Sequence, residues 1–355
     1  MSSNSKFLFF EIMFEHNNLK SILSLAIVSM AIALGSSIKT KSNLVQAQVK
    51  PKVVASHNII CDLLQTVAED TIDLTCLINA NQDPHTYSPT PADRKAIEEA
   101  QLIVYGGYQL EPQLIDLIPV PKDSEEAENA TPTIALYEQV ITEPIMTEEH
   151  KHADEHEHAD EHVESKQSES QSEAEPDPHV WHNIENTVAM VKYLQSLFLQ
   201  VNPTEAERYL VNSTALTEKL WQLDAWIKDR IATIPEGKKV LVTTHDSLNY
   251  YVRAYYLKDY KTLQGLDTES SPTASQVRKL ATEVKQIGVP TIFAESTKND
   301  RVIKNVAREA KVKVSEEKLY ADGLGTAANY SEMMSHNTCA IVNGLGGKCE
   351  PFKLK

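Results

Sequence analysis

The stretch NPTEAERYLVNSTALTEKLWQLDAWIKDRIATI, Asn202–Ile234, carries the longest uninterrupted helical pattern in this 355-residue chain. Asn202 stands at a capping position, Pro203 at the first helical position and Glu205 three residues after the cap. Apolar Leu210, Leu216, Leu220, Leu223, Ile227 and Ile231 recur near helical period, with no Gly or Pro before Pro235. A helix of that length spans about 45 Å at 1.5 Å per residue. It is expected to be a rigid connector between two domains.

On either side, β-branched runs alternate with helical patterns. Before it come strands at Lys52–Ala55, Thr71–Ile78, Leu102–Tyr105 and Thr133–Leu136, and helices at Ile59–Ala68 and Ala92–Ala100. After it come strands at Lys239–Thr243, Lys261–Gln264, Thr291–Ala294 and Lys311–Val314, and helices at Leu248–Tyr256, Ala274–Ile287, Arg301–Ala310 and Glu332–Asn343. Such alternation implies βαβ units and parallel sheets, one per half. The expected class is α/β: an N-terminal domain over 50–201, a connecting helix over 202–234 and a C-terminal domain over 237–355.

The net charge of −16 argues against nucleic acid as a partner, because a polyanion needs a basic surface, and it suits a cation. The charge is local. Glu148–Glu175 holds eleven acidic residues against two lysines. The whole tract 148–177 has almost no large apolar residue, so it cannot offset its ordering entropy and is expected to be a disordered loop. It also holds five of the twelve histidines: His150, His152, His156, His158 and His162. Imidazoles among carboxylates suit Zn²⁺, Cu²⁺ or Ni²⁺. Ordering a floppy segment costs roughly 1–2 kcal/mol per backbone residue, so these are expected to be secondary, weak sites.

Lys20 precedes an apolar run over Ser21–Gly35, and Val45-Gln46-Ala47 ends the polar stretch after it. The run falls short of the ~20 residues that span a bilayer, which reads as a signal peptide over 1–47, cleaved near Ala47. No cysteine follows the run directly, so a lipid-anchored start is not expected; an uncleaved anchor is the other reading. Export permits disulfides among Cys61, Cys76, Cys339 and Cys349. Cys339 and Cys349, ten residues apart, would staple the C-terminus; Cys61 and Cys76 either pair or stay separate buried thiols. No C-x-x-C occurs, which argues against a cysteine-built zinc site.

Three more histidines sit in loops or at strand ends. His85 lies in Asp83-Pro84-His85-Thr86-Tyr87-Ser88-Pro89-Thr90-Pro91, and His179 in Asp177-Pro178-His179-Val180-Trp181. His245, in Thr243-Thr244-His245-Asp246-Ser247, follows a strand at its carboxyl end, where open α/β sheets place ligands. Two Asp-Pro-His tripeptides flanking one acidic loop are hard to take as coincidence.

These motifs, with Ala294-Glu295-Ser296 and Leu319-Tyr320-Ala321-Asp322-Gly323-Leu324, follow in an order and spacing that resemble the metal-specific solute-binding proteins of bacterial ABC importers, the zinc and manganese group. The likeness covers about Lys50 to Gly347. It implies two α/β domains joined by one long helix, with the metal in the cleft between them. It also implies ligands at His85, His179, His245 and Asp322, and the assignment of Asp322 rests on the resemblance alone. Two departures bear on the site. A second histidine, His182, follows His179 closely, and Gly323 stands where serine is common, which would loosen the backbone at Asp322.

The resemblance implies zinc, because manganese-type members have a carboxylate where this chain has His245, and the acidic His-rich loop is a feature of zinc members. Three imidazoles and one carboxylate make a tetrahedral, borderline-soft shell. Asp83, Asp177 and Glu295 are candidates to orient the imidazoles from behind; Trp181 and Tyr87 are expected to pack around the cleft. The reading is a periplasmic Zn²⁺ scavenger, monomeric, serving a membrane ABC permease, with no nucleic acid partner and no enzymatic activity. The alternatives are a manganese-binding importer component and a zinc-dependent hydrolase. Against the hydrolase, no H-E-x-x-H occurs and Asp322 would close the shell.

Overall fold

Four strands of the N-terminal half form a parallel sheet in the order β2-β1-β3-β4: β1 (Lys52–His57), β2 (Asp73–Ile78), β3 (Leu102–Tyr105) and β4 (Thr133–Ala135). The computed structural model describes residues 50–119, 130–147, 174–266, 268 and 271–354. The expected leader over 1–47 lies outside these, as do residues 148–173 of the acidic tract with the tract's five histidines. Val53, Val54 and Ala55 of β1 pair with Leu74, Thr75 and Cys76 on one side and with Leu102, Ile103 and Val104 on the other. All three are buried, as both-face coverage of a parallel sheet requires. A Cys61–Cys76 disulfide ties the helix after β1 (Asn58–Ala68) to β2.

Where the acidic tract leaves and rejoins the described chain, β5 (Met146–Thr147) and β6 (Glu175–Pro176) pair as a two-residue antiparallel ribbon. In the C-terminal half the expected single sheet is two parallel pairs: β7 (Val240–Thr243) with β8 (Asp259–Thr262), and β9 (Thr291–Ile292) with β10 (Lys313–Val314). β9 is only two residues long and follows Pro290, which has no N–H to extend the ladder. Phe293 still donates its N–H to Val242 O at 2.9 Å, so the pairs lie side by side. β8 begins two residues before its expected start because Lys258 N already donates to Lys239 O.

The connector is a 27-residue helix, Ala206–Ala232, about 40 Å long. Two details differ from the sequence reading. Pro203–Glu205 form a 3₁₀ turn, and the Asn202 side chain accepts from Thr204 Oγ1 at 2.6 Å instead of capping the helix. The buried stripe runs Tyr209, Ser213, Leu216, Leu220, Leu223, Ile227, Ile231, while Leu210, one position off it, is 54% exposed. The phase is set by neighbours: Tyr209 stacks near Phe198 and donates its hydroxyl to Thr71 Oγ1 at 3.0 Å.

Phe198 belongs to a second long helix, Ile184–Val201, over a stretch to which the alternation of patterns assigns no element. It buries Ile184, Val188, Met190, Val191, Leu194 and Phe198, a face wide enough to blur its periodicity. Asn183 caps it, accepting from Glu185 N.

One apolar cluster runs from Val53 and Leu64 through Leu220 and Ile227 to Tyr330 and Ile341, so both halves and the connector share a core. At the far end of the connector, Trp226 Nε1 donates to Glu350 O, and the Cys339–Cys349 disulfide fastens that tail to the helix Tyr330–Gly344. Among the described residues no helix is long and apolar enough to cross a membrane.

Leu220→Ala should therefore cost about 2–5 kcal/mol of unfolding free energy in urea titrations. Leu210→Ala should change it by no more than about 0.5 kcal/mol.

Candidate metal centre

Each predicted ligand is held by a short turn at the mouth of a strand or helix. Asp83 Oδ1 accepts from His85 N at 3.1 Å, closing the first Asp-Pro-His turn. The chain then runs extended into Thr90, which caps the helix Pro91–Glu99 in a reciprocal box with Asp93. Trp181 is fully buried with its ring 5.4 Å from that of His179, packing beside the site as expected, whereas Tyr87 packs in the cluster of Val54, Leu77 and Ile97 and donates its hydroxyl to Asp93 at 2.8 Å.

In the second turn Asp177 Oδ1 accepts from both N (2.9 Å) and Nδ1 (2.8 Å) of His179. At the end of β7, Glu295 Oε1 accepts from the N–H groups of Thr244 and His245, each at 3.0 Å, and Oε2 takes His245 Nδ1. Two imidazoles are thereby pinned through Nδ1 with Nε2 facing inward. Asp83 works differently from Asp177 and Glu295: it holds the His85 backbone rather than an imidazole nitrogen.

The inward atoms converge. His85 Nε2 lies 3.1 Å from His179 Nε2. Asp322 Oδ1 lies 3.0 Å from His245 Nε2, 3.4 Å from His179 Nε2 and 3.9 Å from His85 Nε2. All four residues are buried, with candidate ligand atoms within 4.8 Å of one another, the one such group among the described residues. His245 Nε2 and Asp322 Oδ1 make no well-angled hydrogen bond, an expensive arrangement unless a cation completes it.

The surrounding charges set the protonation. Burial and the neighbouring imidazoles hold His85 well below the usual histidine range. Burial would lower His245 too, but the carboxylates of Asp322 and Glu295 outweigh it and bring it to about 10. His179 is likewise raised, burial being overcome by its hydrogen bond to Asp177 and the nearby carboxylate of Asp322. Asp322 is driven well below the carboxylate range despite burial, by His245 and Lys298. The carboxylates thus favour positive charge at this point.

His182 does not compete for the cluster. It is buried, its Nε2 bonds Ala321 O at 2.8 Å, and burial lowers it to about 3. It pins the backbone next to Asp322 from the opposite half. Gly323 does not loosen that turn. A Cβ there would lie 2.8–2.9 Å from the Asn58 amide and 3.2 Å from Ala80 O, so glycine is what allows the close approach. Asn58 Oδ1 in turn accepts from Leu324 N at 2.6 Å.

Two residues absent from the sequence reading complete the site. Thr297 Oγ1 donates to Asp322 Oδ2 at 2.6 Å, and Lys298 Nζ lies 3.1 Å from the same oxygen.

The model of the family described as zinc-uptake complex component A, periplasmic, matches residues 53–344. The chain belongs to this family. Members of the zinc-uptake component A family are metal-binding substrate-binding proteins of ABC importers, not enzymes, and work with a membrane permease and an ATPase. The manganese ABC transporter substrate-binding lipoprotein PsaA of Streptococcus pneumoniae is 29% identical over 324 residues, 90% of this chain and 95% of its own. The metal ABC transporter substrate-binding lipoprotein SsaB of Streptococcus sanguinis is 28% identical over 331 residues, 92% and 99% of the two chains. Among solved structures, the periplasmic zinc binding protein TroA from Treponema pallidum superposes with a TM-score of 0.70 at 25% identity, covering 83% of this chain and 99% of that one. The α/β fold described above is therefore shared with TroA.

Glu295→Gln and Asp177→Asn should each weaken divalent-metal binding about 10–100-fold. Competition against a chromophoric chelator reads the change.

Proposed function

We propose that the protein captures Zn²⁺ outside the cytoplasm and delivers it to a membrane permease, with His85, His179, His245 and Asp322 as the ligands. The observation that carries this reading is His245. With it, three imidazole nitrogens and one carboxylate oxygen face a common point, the shell in which Zn²⁺ is four-coordinate. Manganese is the second reading, favoured by relatives such as the manganese ABC transporter substrate-binding lipoprotein PsaA. Mn²⁺ prefers carboxylate and water oxygens in six-coordinate shells, and three buried imidazoles suit it poorly. A hydrolase needs an open fourth position for water, which Asp322 fills in this reading.

The histidines of the acidic tract, His150, His152, His156, His158 and His162, supply weaker secondary sites in this account. Support comes from the foot of the tract: Asp177 N donates to Ile145 O at 2.8 Å, placing its two ends beside the His179 turn.

Titration calorimetry tests the assignment. Zinc should bind more tightly than manganese, and His85→Ala should abolish the tight zinc site; equal zinc affinity in that variant contradicts the ligand set. Deleting residues 148–175 should lower zinc stoichiometry while leaving the tight site intact.

Proton linkage follows from the raised His245. His245, brought to about 10 by Asp322 and Glu295, must give up its proton to bind zinc, so affinity should rise with pH. Calorimetry in two buffers of different ionisation enthalpy should detect net proton release near pH 7; identical apparent enthalpies would contradict it.

A further inference from the structure

Asp322 is divided between two tasks. Its Oδ1 faces the three histidines, while Oδ2 accepts from Thr297 Oγ1 at 2.6 Å and lies 3.1 Å from Lys298 Nζ. The same ammonium pairs with Asp83 Oδ2, which also accepts from Thr268 Oγ1 at 3.0 Å. Asp83 Oδ1 closes the His85 turn. Lys298 therefore sits, with only 8% of its side chain exposed, between the carboxylate that shapes the His85 turn and the carboxylate that faces the imidazoles.

We infer that Lys298, together with Thr297, is a specificity-determining residue: by engaging Oδ2 it restricts Asp322 to ligation through one oxygen and so favours a four-coordinate ion. This rests on the four-ligand reading above. The reasoning is one of differential cost. Zinc in a site of three nitrogens needs one oxygen, and Oδ1 supplies it without disturbing the pair. A larger, oxygen-seeking ion such as Mn²⁺ gains from drawing in the second carboxylate oxygen. Doing so here would strip the Lys298 ammonium of one buried partner and orphan the Thr297 hydroxyl, a cost that falls only on the ion needing both oxygens. Discrimination thus comes from what is denied to the competitor as much as from what is offered to zinc.

The test compares zinc and manganese affinities of the purified wild-type protein, Lys298→Met and Thr297→Val, with the visible spectrum of each Co²⁺-loaded form. Freeing Oδ2 should shrink the zinc-over-manganese affinity ratio at least tenfold in Lys298→Met and by a smaller factor in Thr297→Val. The intense bands of tetrahedral Co²⁺ should weaken toward those of a five- or six-coordinate ion. An unchanged ratio and spectrum in both variants, even with both affinities reduced together, would leave the pair a structural role only and overturn the inference. Thr297→Val keeps the ammonium pair, so it carries the test if Lys298→Met fails to fold by circular dichroism. His85→Ala run alongside separates the two claims. Retained binding there defeats the ligand assignment itself; lost binding there with an unchanged ratio in the other two variants defeats this inference alone.

Discussion

The site depends on carboxylates placed behind imidazoles. Glu295 accepts two backbone N–H groups and the Nδ1 of His245, which fixes both the turn at the end of β7 and the ring that leaves it. Asp177 accepts one backbone N–H and the Nδ1 of His179, fixing that turn and ring likewise. Without these anchors the rings would rotate, and the inward Nε2 atoms would not share a centre. The arrangement is electrostatically costly with no cation present, because it gathers buried carboxylates around a small polar space. A raised His245 is the local answer: its proton offsets part of the charge of Asp322 and Glu295.

The scaffold makes this preorganisation possible. Ligand turns come from both halves, so their spacing is only as constant as the relation between the halves. The connector Ala206–Ala232 is bonded to the N-terminal half at Tyr209 and to the C-terminal tail at Trp226, and it lies in a core common to both. Polar bonds across the cleft add direction: His182 to Ala321 O, Leu324 N to Asn58, and the Tyr330 hydroxyl to Trp181 O. A shared core gives the hydrophobic stabilisation, and these bonds give the register that brings Asp322 up to the histidines.

Much of this was legible in the chain, for identifiable reasons. The Asp-Pro-His turns announce themselves because the aspartate that closes the turn and the histidine it presents are adjacent in sequence. The connector is legible because an amphipathic helix of that length repeats its signal many times, although Tyr209 rather than Leu210 takes the buried position. The buried phase there depends on Thr71 and Phe198, residues of other elements. Asp322 has no local signature, and it became readable only through the resemblance. Gly323 was misread because its neighbour in space, Asn58, is distant in sequence. Lys298 and Thr297 stayed invisible for the same reason: Ser296-Thr297-Lys298 reads as a polar surface loop until the fold sets it against Asp83 and Asp322. Ile184–Val201 escaped because a helix buried over a broad face has little contrast between its sides.

In the proposed function one zinc ion bridges the two halves through three imidazoles and a single carboxylate oxygen. Anomalous diffraction at the zinc edge, from crystals of the zinc-loaded protein, tests it most directly. A strong peak bonded to Nε2 of His85, His179 and His245 and to one oxygen of Asp322 is expected. A principal peak elsewhere, or a shell that omits His245 or takes both Asp322 oxygens, would contradict it.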